Sequence, residues 1–157
     1  MKKVQKNSWS TLLAVLIVIF MYNFYQRDSD QYIVTRVIDG DTIELGNGEK
    51  VRYIGVDTPE LHHPQKKVER FAREAYQANQ KMVKNRKVRL EFDVQQKDRY
   101  GRLLAYVYTD DGIMVNEWLV ASGYARVATF PPNLRFADRF LQLEKEARQQ
   151  NIGLWGE

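Results

Sequence analysis

Residues 32–56 read YIVTRVIDGDTIELGNGEKVRYIGV. Apolar and β-branched side chains recur through Tyr32 to Ile38, Thr42 to Leu45 and Lys50 to Val56, the composition of strands that bury one face. Between the first two lies Asp39-Gly40-Asp41, a hairpin signal because Asp-Gly accepts positive φ. Gly46-Asn47-Gly48 supplies the next turn. Three adjacent strands in a meander are predicted.

The chain after this meander changes period. From Lys67 to Lys84, Val68, Phe71, Ala72, Ala75, Asn79, Met82 and Val83 recur at three- and four-residue steps with charges between them, which predicts an amphipathic helix. Val88, Leu90 and Phe92 then alternate with Arg89, Glu91 and Asp93, and a second period-two stretch runs from Leu103 to Tyr108. A short helix is predicted from Val115 to Ser122, ending at Gly123. Phe136, Phe140, Leu143 and Ala147 form one stripe on a last helix that ends before Gly153. Five short strands with a helix inserted after the third suggest an α+β fold built on a small closed barrel, of which the OB-fold is the common example.

Composition narrows the chemistry. Of 157 residues, 44% are hydrophobic and 28% charged, ordinary values that argue for one compact domain and against disorder or a multi-span membrane protein. Cysteine is absent, which excludes disulfides, thiolate metal sites and a cysteine nucleophile. The only histidines, His62 and His63, are adjacent, so on an extended loop they point apart and make a poor metal site. A metal would have to sit on oxygen. The net charge of +4 favours anionic partners, although half of the excess lies before residue 31.

That leader begins with Lys2, Lys3 and Lys6 and continues into an apolar run from Trp9 to Tyr25. The run is near the lower limit for a bilayer span. With the lysines cytoplasmic, the chain after Arg27 would cross the membrane. A cleaved signal peptide fits the charged start equally well, but no small-residue cleavage pattern follows Met21-Tyr22-Asn23-Phe24-Tyr25. The expected organisation is therefore a membrane anchor or signal segment with linker over 1–30 and a domain over 31–157.

Three segments place charged groups where strands end: Ile38-Asp39-Gly40-Asp41-Thr42, Arg52 to Glu60, and Asp98-Arg99-Tyr100-Gly101-Arg102. Taken singly they read as a turn, a helix start and a solvated hairpin. In this order and at these separations they resemble the staphylococcal nuclease (thermonuclease) family, over roughly the stretch from Ile33 to Trp155. The resemblance continues in Leu104-Ala105-Tyr106-Val107-Tyr108 and Met114-Val115-Asn116-Glu117. It implies an OB-fold barrel with three helices and an endonuclease that cuts DNA and RNA, single strands preferred, to leave 3′-phosphates.

The resemblance also implies roles. Asp41, Asp57 and the backbone carbonyl of Thr58 would bind Ca2+, hard ligands for a hard cation. Arg52 and Arg102 would grip the scissile phosphate, and Glu60 would orient or deprotonate the attacking water. Arg99, Tyr100, Lys66 and Lys67 would contact substrate, the two lysines from a basic loop spanning Leu61 to Lys67. These parts suit the problem, because a phosphodiester is a stable anion whose hydrolysis needs charge neutralisation and an activated water. One departure is visible. Where the family presents two tyrosines, this chain reads Val127-Ala128-Thr129-Phe130-Pro131-Pro132, one residue fewer, leaving Phe130 and Tyr124 as aromatic replacements. A monomer at the cell membrane with its catalytic domain outside is expected, or a secreted one after signal cleavage. The alternative is a non-catalytic OB-fold module, tethered to the membrane, that binds nucleic acid or protein.

Overall fold

The computed structural model describes residues 12–18, 31–61 and 68–156. The chain divides after Gln31 into two units. In the first, residues 12–18 are helical and exposed. The rest of the apolar run lies outside the described residues, and no helix among those described is long and apolar enough to cross a membrane.

The second unit runs β1 (Gln31–Asp39), β2 (Thr42–Leu45), β3 (Lys50–Tyr53), β4 (Gly55–Asp57), α1 (Ala72–Val83), β5 (Lys87–Glu91), β6 (Leu103–Thr109), α2 (Val115–Ala121), β7 (Arg126–Ala128), α3 (Ala137–Gln149) and a 3-10 turn, Gly153–Trp155. Five strands close a barrel in the order β1-β2-β3-β6-β5. The predicted meander is present, β1 to β2 to β3 being antiparallel, whereas β3 meets β6 in parallel. Closure between β5 and β1 runs through Val34, whose N–H donates to Arg86 O at 3.0 Å and whose carbonyl accepts from Asn85 N at 2.9 Å. The architecture is a five-stranded barrel with three helices, consistent with an OB-fold.

The strand alternation decides what fills it. Val34, Ile43, Leu45, Val51, Val88, Val107 and Tyr53 are buried inside, and the helices cover the barrel with their own apolar stripes. α1 buries Ala72, Ala75 and Val83 together with Asn79. Asn79 accepts a hydrogen bond from Tyr53 Oη at 2.8 Å and donates from Nδ2 to Asp39 O at 3.1 Å, so the helix is tied to the end of β1. Asn116 on α2 accepts from Val107 N and donates to Ile54 O, each at 2.9 Å. Both buried amides are satisfied, as burial requires.

Four local expectations are corrected. The strand from Lys50 to Val56 breaks at Ile54, whose N–H turns to Ala105 O; Gly55 then takes φ 77° and sends β4 out of the barrel to pair with β7. β7 itself escaped sequence reading because three residues are too few to show a period. The first helix begins at Ala72 rather than Lys67, since Phe71 adopts a left-handed φ of 72° that cannot continue a helix; residues 62–67 lie outside the described residues. The Asp39-Gly40-Asp41 turn is a hairpin, but Gly40 is absent from the positive-φ residues. Its glycine is demanded by close approach: a Cβ there would stand 2.6 Å from Thr58 Oγ1.

Two other glycines allow a backbone crossing. A Cβ on Gly123 would lie 2.3 Å from Ile152 O, and one on Gly153 would lie 2.4 Å from Gly123 O. Leu154 N donates across this contact to Gly123 O at 2.8 Å. Gly123→Ala combines a left-handed φ of 68° with a clash against backbone, and is expected to cost about 2–5 kcal/mol. Gly48→Ala has a positive φ but open space around it, so about 1–2 kcal/mol is expected. Urea unfolding of the two variants measures the difference; equal losses would contradict the crossing.

Candidate active site

Asp41 follows the turn glycine and is 6% exposed. Its Oδ2 accepts from Thr58 N at 2.9 Å and Thr58 Oγ1 at 3.0 Å, and its Oδ1 from Thr42 Oγ1 at 3.0 Å. The carboxylate thus pins the segment after β4 onto the β1–β2 turn. Arg52, from β3, completes the arrangement: Nη1 donates to Tyr53 O at 3.0 Å and Val56 O at 2.6 Å. Nη2 lies 2.9 Å from Asp57 Oδ1 and 3.3 Å from Asp41 Oδ2. One cationic nitrogen therefore serves both carboxylates.

A second loop carries the other arginine. Asp98 Oδ1 accepts from the N–H groups of Tyr100 and Arg102, each at 2.9 Å, and Oδ2 accepts from Arg102 Nε at 2.7 Å. Burial alone would raise the Asp98 pKa, but these hydrogen bonds outweigh it and hold the carboxyl below its usual range. With Gly101 at φ 79°, the turn locks Arg102 while leaving Tyr100 68% exposed. Arg99 lies over the Tyr100 ring, 4.8 Å from its centroid, and donates to Tyr100 Oη at 2.6 Å.

Arg52, Arg99, Tyr100 and Arg102 line one cleft of about 570 Å³, and so does Phe130. Tyr124 lies elsewhere: it lines a separate hollow with Trp118 and stacks on Phe71 at 5.6 Å between centroids. Of the two aromatic replacements suggested by sequence, only Phe130 faces the arginines. Asp41, Asp57, Thr58 and Glu60 gather at the Arg52 end of this arrangement. Lys66 and Lys67 lie outside the described residues.

Sequence reasoning missed Asp39. Its carboxyl lies close enough to that of Glu60 for the two to interact. The signal was its place two residues before Asp41, which a turn reading absorbed. Burial raises the pKa of Asp39, Asp57 and Glu60 alike, and for each it is the largest cause. Mutual repulsion adds to it: Asp41 acts on all three and Asp39 on Glu60, while Arg52 pulls Asp57 back down.

Among the described residues, no three His, Cys, Asp or Glu side chains form a ready-made metal cluster. The donor set nonetheless fits a hard cation. Every candidate ligand is oxygen, and Arg52 Nη2, 2.9 Å and 3.3 Å from two carboxylates, demonstrates that one positive charge reaches both. The excess of negative charge around Glu60 is what a divalent ion would offset.

Residues 50–157 match the family described as staphylococcal nuclease homologue. Joined to the barrel and its arginine cleft, that match makes the protein a nuclease, and hence a hydrolase. The chain is 38% identical to the Thermonuclease of Staphylococcus intermedius over 167 aligned residues, covering 99% of each. It is 43% identical to the Thermonuclease of Staphylococcus hyicus, covering 79% of this chain and 75% of that one. It is 45% identical to Endonuclease YncB of Bacillus subtilis, covering 76% and 59%. The chain belongs to the staphylococcal nuclease family.

The raised carboxyls fix a sign for the pH dependence of stability. In the unfolded chain Asp39, Asp57 and Glu60 titrate in the ordinary range, so the folded state binds more protons in the window from that range up to the raised values. Their contribution to stability therefore falls as pH rises through the window. Asp39→Asn removes one of the charges, and in chelator its stability relative to the parent is expected to rise between about pH 4 and about pH 8. Urea unfolding at the two pH values checks this; a relative stability that is flat or falls contradicts it.

Proposed function

We propose that the protein is a Ca2+-dependent endonuclease that hydrolyses phosphodiester bonds of DNA and RNA, single strands preferred, and leaves 3′-phosphates. The observation that carries this reading is that Arg52 and Arg102 line one cleft, with Asp57 and Asp41 at Nη2 of the Arg52 guanidinium. A phosphate seated between two planar guanidiniums receives paired donors, whose hold strengthens as charge develops on the transferring group. Asp41, Asp57 and the Thr58 carbonyl would hold Ca2+, which when bound supplies positive charge to the phosphate oxygens and to a water.

In this reading Glu60 accepts the proton of the attacking water, whose oxygen bonds to phosphorus as the bond to the 5′ oxygen breaks and that oxygen is reprotonated. Burial and the charges of Asp39 and Asp41 raise the Glu60 pKa, bringing a weak base nearer to the working pH. Arg99 and Tyr100 contact the substrate beside Arg102, and Lys66 and Lys67 contact its backbone from the preceding loop.

Incubation of the purified chain with single-stranded DNA is expected to give cleavage in Ca2+ and none in excess chelator. Mg2+ should substitute poorly, because it demands stricter octahedral geometry. Arg102→Lys keeps the charge but loses the planar fork, a loss of about 3 kcal/mol or about two orders of magnitude in rate. Undiminished cleavage in chelator, or a folded lysine variant with normal turnover, would contradict the assignment.

The apolar run from Trp9 to Tyr25 supports the further proposal that the protein is a monomer held at the cytoplasmic membrane with the nuclease domain outside. Full-length protein should then stay with membranes through a high-salt wash, since apolar burial is not screened, and external protease should reach the domain once outer envelope barriers are removed. A soluble form starting near residue 31 would instead indicate signal cleavage, and a protected domain would contradict export.

A further inference from the structure

Asn79 stands on the buried stripe of α1, between Ala75 and Val83, and is 0% exposed. For the helix alone an apolar residue would serve better, because an interior asparagine lowers helix propensity and a buried amide must be paired. Its amide is paired at both ends, and both partners lead to the same turn. Nδ2 donates to Asp39 O at 3.1 Å, and Oδ1 accepts from Tyr53 Oη at 2.8 Å. Asp39 ends β1 and closes the turn that presents Asp41. Tyr53 follows Arg52 on β3, and its own N–H donates to Asp41 O at 3.0 Å.

The chemistry of the three groups fixes the direction of this chain of hydrogen bonds. A carbonyl only accepts, so Asp39 O requires the NH2 end of the amide. The other end is thereby turned to Tyr53, which must donate. Tyr53 is 1% exposed, and burial raises its pKa far above the ordinary phenol range, so the hydroxyl keeps its proton at any working pH. The turn needs such a tie. Residue 40 must be glycine for Thr58 to approach, and a glycine leaves the backbone between Asp39 and Asp41 freer than any other residue would.

We propose that Asn79 is a positioning residue for the cation site: oriented by Tyr53, it holds the Asp39 carbonyl and so sets the turn on which Asp41 stands. The inference rests on the Ca2+ site proposed above. The hydrogen bonds of both side chains run between helix and turn rather than to Arg52, Arg102 or Glu60. Loss of the link should therefore loosen the hold on the cation and spare the chemical step once Ca2+ is saturating.

Ca2+ alone is titrated calorimetrically into the full chain and into Tyr53→Phe, Asn79→Leu and the double variant, and the stability of each is read by urea unfolding in chelator. Asn79→Leu leaves a buried hydroxyl unpaired and should lose stability, part of which returns when Tyr53→Phe removes that hydroxyl. Ca2+ affinity should not follow stability. It should be about tenfold weaker in Asn79→Leu and in the double variant alike, the scale of one buried hydrogen bond. Turnover on single-stranded DNA at saturating Ca2+ should stay within about twofold of the parent, as for a group that acts on binding alone. Affinity that recovers with stability in the double variant, or that equals the parent's in either leucine variant, overturns the positioning role and leaves Asn79 a residue of the core. Tyr53→Phe keeps the ring and the helix and should weaken binding about threefold; if the leucine variants do not fold, parent affinity in Tyr53→Phe overturns the role. A parent that binds no Ca2+ overturns the cation site itself, and the role of Asn79 with it.

Discussion

A buried carboxylate between two loops is the constraint on which the rest depends. Asp41 lies in the interior with its oxygens filled by Thr58, Thr42 and Arg52. Filling them draws the 57–58 segment against the β1–β2 turn so closely that residue 40 must lack a Cβ. The same contact brings Asp57 within reach of Arg52 and sets Glu60 beside Asp39. Turn, strand break and charge cluster are one arrangement. A change at Gly40 or Thr58 would disturb the site before it disturbed the barrel.

The barrel and the site make opposite demands. The core is satisfied: its buried amides are paired, and its apolar strands alternate cleanly around Tyr53 and Val107. The site is not at electrostatic rest, since three carboxyls are pushed toward their protonated forms by burial and by the neighbouring charge of Asp41. Such stored repulsion lowers stability at neutral pH and is the common cost of a group of charges kept ready for chemistry. On the arginine side, by contrast, Asp98 is held charged by a complete set of donors. The cleft is thus rigid at Arg102 and poised at Glu60.

Most of the fold was legible because its signals are local. Strand-forming composition between turn signals gave the first three barrel strands and period-two alternation the other two, while three- and four-residue spacing gave the first and last helices and Gly123 marked the end of the second. What escaped were features decided by contacts distant in sequence. The break at Ile54 depends on Ala105 and Asn116, β7 exists because β4 needs a partner, and Phe71 turns left-handed where spacing alone continues the helix. In the site, Arg52, Arg102, Asp41 and Asp57 could be named from their motifs. The Asp39–Glu60 pairing could not, because the turn explained Asp39 completely until the segment after β4 was seen to fold over it. Phe130 and Tyr124 looked equivalent in sequence, and only the fold separates them, with Phe130 on the arginine cleft and Tyr124 in a hollow beside Trp118.

The proposed reaction makes one bond and breaks one, and their identity can be read from product masses. Single-stranded DNA cleaved in Ca2+ and 18O-enriched water should give fragments ending in a 3′-phosphate that carries one 18O atom, with an unlabelled 5′-hydroxyl on the other side of the cut. Fragments bearing a 5′-phosphate, or label in the hydroxyl rather than in the phosphate, would contradict attack of water on phosphorus with departure of the 5′ oxygen in this cleft.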